Sequence, residues 1–224
     1  MLGEWFTVRI VDIIKTIFNI QNDDVTLIPL KQGMTNDSFI FSINNERYII
    51  NSHTVNPKDW NEISACLKRL REFHSQSHRV EHCFDVFEHI NYYESLMPNV
   101  SIYEDYVDTK KNIESLEPVI ENLVEEWTLC HIDAVCDNFL VTENQDVYLI
   151  DFEYAAMQDP DLDLAMFIVY SLFNRQEIDR IINIYFENQV TPLKRYKMYS
   201  YIAMVGLLWS NWCEYKRSLG IDFG

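Results

Sequence analysis

Apolar positions along the chain follow two rhythms, one of helical and one of strand period, and their order suggests the architecture. Over 5–18, Val8, Val11, Ile14 and Phe18 repeat at helical spacing and Ile10, Ile13 and Ile17 widen the stripe, which predicts a docking helix. Residues 25–30, 38–43 and 47–50 are short runs rich in β-branched and aromatic side chains, so three strands are expected, separated by 31–36 and by the Asn44-Asn45 turn. The helical period returns over 57–74, where Ile63, Cys66, Leu67, Leu70 and Phe73 share one face and Pro57 suits the first turn. A further amphipathic helix is expected over 84–96, stopped ahead of Pro98. Tyr103, Tyr106 and the segment 112–126 continue a helical scaffold, and Glu114, Glu117, Glu121, Glu125 and Glu126 read as its solvated face. After an extended 127–130, the apolar runs 139–141 and 147–150 flank Asn144-Gln145 and predict a hairpin. An apolar helix over 164–173 and a long helix over 193–217 complete the pattern. The long one ends in Lys216 and Arg217 ahead of Gly220, as the helix dipole and C-cap favour.

A chain of 224 residues, 48% hydrophobic, can bury a sizeable core as one two-lobed domain or two small ones. Its longest apolar stretch, 201–213, falls short of the ~20 residues of a membrane span and contains Ser210 and Asn211. The beginning of the chain lacks a basic n-region and a cleavable apolar core, so cytoplasmic residence is the expectation. Five scattered cysteines without a C-x-x-C pair argue against a disulfide framework, and Cys130 and Cys136 read as small semi-buried residues. The net charge of -17 argues against a nucleic-acid partner, which needs a clustered basic face. It is compatible with a small cationic substrate, whose approach an acidic surface favours, and equally with solubility alone. His74, His78 and His82 recur every four positions, but no accepted ligand pattern surrounds them, and a solvated helix end is the expectation.

The chemistry concentrates in 129–153. His131-x-Asp133, Asn138 and Asp151-Phe152-Glu153 sit at the ends of predicted strands, and pairing the hairpin makes Asn138 and Asp151 neighbours. Phosphoryl transfer needs this set: one carboxylate beside the attacking hydroxyl, with an amide and a second carboxylate holding magnesium against nucleotide phosphates. Either fragment alone is more often a hydrogen-bonded loop; their combination around a hairpin is what points to a kinase-like site. Asp133 is the expected base or orienter. Asn138 and Asp151, hard oxygen donors, are the expected Mg2+ ligands.

These residues resemble the choline kinase and aminoglycoside phosphotransferase group, and WTLCHIDAVCDNFL, LIDFEYAAMQDPDLDLAMF and GLLWSNWCEYKRSLG look like the LicA-like bacterial choline kinases. The resemblance implies an α+β, protein-kinase-like two-lobed fold, with a partial nucleotide-binding N-lobe over 1–50 and a helical C-lobe over 51–224 carrying the catalytic and choline sites. It implies ATP and Mg2+ as cofactors. Gly33, Met34, Thr35 and Asn36, on residue chemistry alone a plain hairpin turn, look like that group's phosphate-covering loop. Asp163 corresponds to an Asp that holds catalytic-loop backbone, and His131 to a bracing residue; the role of Glu153 stays open. Trp209 and Trp212 share one helix face, where they serve either as core or as walls for a quaternary ammonium. The resemblance favours walls, with Tyr154 and Tyr170 as further candidates.

The chain departs from the group after Ile50. Where a phosphate-contacting basic residue, its helix and further strands are implied, Asn51-Ser52-His53-Thr54 runs directly into Pro57-Lys58-Asp59-Trp60, and about fifty residues expected by analogy are absent. Three strands alone would leave an open sheet edge, which favours a further segment at this join over a true deletion. The expected reaction is transfer of the γ-phosphoryl group of ATP to choline. Ethanolamine or another small amino alcohol is the alternative acceptor. A silent choline-binding domain is the alternative of a different class, motivated by Asn51, and an aminoglycoside acceptor is disfavoured by the aromatic pair.

Overall fold

The computed structural model describes residues 26–30, 37–43, 46–76, 78–98, 101–142 and 144–221, with side chains from His53 onward. The helix expected over 5–18 and the loop Gly33, Met34, Thr35 and Asn36 lie outside the described residues. The chain divides into two compact units: Met1–Cys66 with Asp137–Asp151, and Leu67–Cys136 with Phe152–Gly224.

The first unit is built on a five-stranded antiparallel sheet. Strands β1 (Thr26–Leu30), β2 (Asp37–Ile43), β3 (Glu46–Thr54), β5 (Phe139–Thr142) and β6 (Val147–Leu149) lie side by side in that order. Pro29, which has no N–H to donate, is placed on the edge strand β1, opposite Phe39. The division expected after Ile50 is not where the contacts fall. β3 continues through Asn51 to Thr54, because Ser52, His53 and Thr54 pair with Thr142, Val141 and Leu140 of the hairpin. The edge that was expected to lie open is therefore covered at Ser52, His53 and Thr54. His53 Nε2 donates to Glu62 Oε1 at 2.8 Å and Asn56 N to Glu62 Oε2 at 2.8 Å, tying the end of β3 to α1 (Trp60–His74). Pro57 lies in the turn before that helix rather than in its first turn; Asp59 Oδ1 accepts Asn61 N at 2.8 Å and so supplies the cap.

The second unit is helical, apart from β4 (Thr128–Cys130) paired with β7 (Ala156–Gln158). Its helices are α2 (Val86–Leu96), α3 (Tyr106–Glu114), α4 (Glu117–Glu121), α5 (Asp161–Tyr170), α6 (Arg175–Tyr185) and α7 (Pro192–Ser218). Caps set their starts. Asp85 accepts Glu88 N at 2.9 Å, Asn174 and Glu177 form a capping box, and Thr191 accepts Lys194 N at 3.1 Å with Pro192 at the first position. The scaffold expected over 112–126 is instead two short helices broken at Ser115 and Leu116. α5 is buried from Asp161 to Ile168 because beyond its acidic first turn it is apolar all round, and α7 packs against α5, α2 and α3. Among the described residues no helix is long and apolar enough to cross a membrane, and none of the five cysteines is in a disulfide.

Two buried carboxylates at the entry to α5 show how so enclosed a helix tolerates polar groups. Asp161 and Asp159 both pair with the buried Lys197 of α7, Asp161 at 2.9 Å, and Tyr201 donates to Asp159 at 3.1 Å. Burial alone would lower the Lys197 amine, but the two carboxylates outweigh it and hold the ammonium form.

Candidate active site

Pairing of β4 with β7 sets Cys130 opposite Ala156, so that the segments leaving this end of the ribbon, His131 to Asp133 and Phe152 to Tyr154, flank each other in the helical unit. The first of these is a strained loop. Ile132, a β-branched residue, has φ 69°, in the left-handed region that such side chains avoid. The surroundings hold it there. Asp163, wholly buried on α5, accepts His131 N at 2.6 Å on Oδ2 and Ile132 N at 2.8 Å on Oδ1. This is the backbone-holding role that the sequence implied for Asp163. Complete burial pushes its carboxyl up, but the hydrogen bond and charge of His74, with His131, win and leave it below the usual carboxylate range. His131 is buried with its ring 4.8 Å from that of Phe152, which suits a brace.

His74 corrects an expectation. It is not a solvated helix end: 7% exposed, it closes α1 with Nε2 at 2.8 Å from Asp163 Oδ2 and Nδ1 at 2.6 Å from Tyr185 Oη. His78 and His82 are exposed. His74, Cys130 and Asp163 bring three potential metal-ligand atoms within 4.8 Å of one another. Their hydrogen bonds already use them, however, and the Cys130 thiol, pushed up by burial and by Asp163, donates to Gln158 O at 3.3 Å. The site is a hydrogen-bonded core.

Beside the loop lies a cleft of about 230 Å³, entirely within the helical unit. Asp133, half-buried, lines it together with Glu153, Tyr154, Trp209 and Trp212. The indoles of Trp209 and Trp212 stand edge to face with centroids 5.1 Å apart at 75°. Lys216 Nζ lies 5.3 Å from the Trp212 ring centre, and the Trp209 Nε1 is buried without a hydrogen-bond partner. Tyr170 is not among the residues that line the cleft; its ring lies 5.7 Å from that of Trp209. Sequence reasoning missed Phe84, His89 and Tyr93, which line the cleft from α2 and its approach. The available signal was the spacing of His89 and Tyr93, four apart on one helix face. Phe84 and His89 stack at 4.2 Å.

In the sheet unit, β5 and β6 bring Asn138 and Asp151 together as expected. Ile150 N donates to Asn138 O at 2.9 Å, and Phe139 pairs with Leu149. Asn138 is 8% exposed and Asp151 has φ 70°, turning the chain sharply as it leaves the hairpin. An amide and a carboxylate on adjacent strand ends are a hard-oxygen donor set that fits Mg2+, which keeps several waters and takes only one or two protein carboxylates.

The sequence profile of the Choline/ethanolamine kinase family matches residues 30–204. Protein LicA of Haemophilus influenzae is 27% identical over 192 residues, spanning 80% of this chain and 70% of that protein. The crystal structure of choline kinase LicA from Streptococcus pneumoniae is similar at a TM-score of 0.67 and 26% identity, covering 96% of this chain and 93% of the other. A choline/ethanolamine kinase family protein from Mesorhizobium loti, at 18% identity, shares the fold with a TM-score of 0.70 over 98% of this chain and 88% of its own. The α+β kinase-like fold and the matched profile agree, and the chain belongs to the choline/ethanolamine kinase family.

Proposed function

We propose that the chain transfers the γ-phosphoryl group of ATP to the hydroxyl of choline, giving phosphocholine and ADP. One observation carries this reading: a single cleft is lined both by Asp133 and by the paired indoles of Trp209 and Trp212. A quaternary ammonium has no N–H to donate, so its charge is met by π faces and by carboxylates at a distance, each ring supplying about 0.5–2 kcal/mol. With the ammonium against the indoles, the hydroxyl is directed to Asp133. The carboxylate orients it and takes its proton as the oxygen bonds to the γ-phosphorus and the bond to the ADP oxygen breaks. Ethanolamine, a primary ammonium, would need hydrogen-bond acceptors, and among the lining groups these are chiefly Asp133 and Glu153, which makes it the weaker acceptor.

Asn138 and Asp151 are assigned as the residues that hold Mg2+, which when bound neutralises phosphate charge. Gly33, Met34, Thr35 and Asn36 are assigned to the nucleotide phosphates, the sheet unit to ATP and the helical unit to the acceptor. The cytoplasm, where ATP is available, is the proposed location.

The test is ADP release from Mg-ATP across choline, ethanolamine, an aminoglycoside and no acceptor. Highest kcat/KM with choline supports the reading. A preference for the aminoglycoside, or release independent of any acceptor, overturns it.

A further inference from the structure

We infer that His74 is a positioning residue for catalysis, acting on the Asp133 loop through Asp163. The inference rests on the kinase reading above and goes beyond it, since His74 touches neither substrate nor nucleotide-binding residues. A chain of hydrogen bonds supports it. Tyr185 Oη lies 2.6 Å from His74 Nδ1, His74 Nε2 lies 2.8 Å from Asp163 Oδ2, and the Asp163 carboxylate accepts His131 N at 2.6 Å and Ile132 N at 2.8 Å. Ile132 is the strained residue of the loop, at φ 69°, and Asp133 is the next residue.

The carboxylate is what holds that strain, and the imidazole is its side-chain partner. Oδ2 is shared between His74 Nε2 and a backbone N–H, whereas Oδ1 takes Ile132 N. With His74 removed, the wholly buried carboxylate keeps its two amides but loses the ring that fixes its plane, and a rotation of that plane moves both amides. Tyr185 in turn fixes which way the ring faces, because the phenol engages Nδ1. Tyr185, His74 and Asp163 do not line the cleft of Trp209 and Trp212, so a change at His74 leaves the indole walls that would capture choline in place.

The experiment compares His74→Phe, His74→Gln and Arg71→Met. Arg71 supplies the control: it ties the same helix end to α6 through Tyr185 O at 3.1 Å and to Glu187 at 3.0 Å, without touching Asp163. In His74→Phe, kcat with choline falls by about 10- to 100-fold, the range that a loop misplacement costs, while KM for choline stays within about 3-fold. His74→Gln, which keeps a donor for Asp163, recovers part of the loss, and Arg71→Met keeps kcat even where its Tm is as low. Amide exchange gives a readout independent of turnover: His131 and Ile132 exchange about 10-fold faster in His74→Phe and unchanged in Arg71→Met. Equal kcat in the His74 and Arg71 variants at matched Tm, or unchanged exchange at His131 and Ile132, overturns the inference. Should His74→Phe not fold, His74→Gln decides on the same two readouts. A wild-type chain without choline-dependent ADP release overturns the kinase reading instead, leaving the exchange result to decide the placement.

Discussion

At the scale of single residues, the cleft is unusual in what its aromatic groups leave free. Trp209 presents its ring to Trp212 while its N–H is buried without a partner, so the side chain contributes as a π face and not as a donor. This separates two substitutions. Trp209→Ala or Trp212→Ala should raise KM for choline by about 2- to 30-fold, the equivalent of one cation–π contact, with KM for ATP unmoved. Trp209→Phe, which keeps a smaller π face and removes the orphaned N–H with the pyrrole ring, should raise KM for choline less than Trp209→Ala. Initial rates at varied choline and fixed saturating ATP measure both; an equal rise in both KM values in the alanine variants contradicts the cage. Much of this was legible in the sequence, because a Trp-x-x-Trp pair and His-x-Asp are local signals. His74 was not. Its partners, Tyr185 and Asp163, are distant in sequence, and spacing alone gives no hint that a helix end so rich in polar residues turns one imidazole inward.

At the scale of elements, the wall of the cleft depends on how α2 meets α7. Asn211, fully buried between the two tryptophans in sequence, donates to Ile90 O at 3.1 Å and to Tyr106 Oη at 3.0 Å, joining α7 to α2 and α3. Burial, with Glu94 and Glu214 nearby and against the Asn211 bond, pushes the Tyr106 phenol up to about 12, so it stays protonated. Asn211→Ala should cost about 1–3 kcal/mol, seen as a lower Tm, since it leaves Ile90 O and the phenol short of a donor. A Tm unchanged from wild type would show the bond to be dispensable.

The Asp133 loop has its own element-scale signature in pH. Asp163 is held below the usual carboxylate value, so the unfolded chain takes up a proton at a pH where the folded one has not. Its contribution is complete above the unfolded value of about 3.9 and is lost as pH falls through the lower folded value. Thermal melts from about pH 6 downward should therefore show a steeper acid limb in the wild type than in Asp163→Asn, whose baseline is lower; parallel limbs contradict the assignment. α2, which supplies Tyr93 and His89 to the cleft, was predicted as a helix but not as a wall, because its amphipathic pattern does not say which cavity its half-buried face borders.

At the scale of the whole molecule, the chain passes between its two units at Cys66/Leu67, Cys136/Asp137 and Asp151/Phe152. Asp133 thus belongs to the helical unit, and the proposed metal pair, Asn138 and Asp151, to the sheet unit. The sequence showed a hairpin but not that its strand β5 would extend the three N-terminal strands into one sheet, because strand pairing across so long a separation has no local pattern. The measurement that bears most directly on the account is choline-dependent ADP release by the wild type and by Asp133→Asn, with choline binding followed by calorimetry in both. Asp133→Asn should bind choline within a few-fold of wild type and turn over slower by about 10²- to 10⁴-fold, the range of a lost general base. Turnover retained in Asp133→Asn, or a wild type whose ADP release ignores choline, would contradict it.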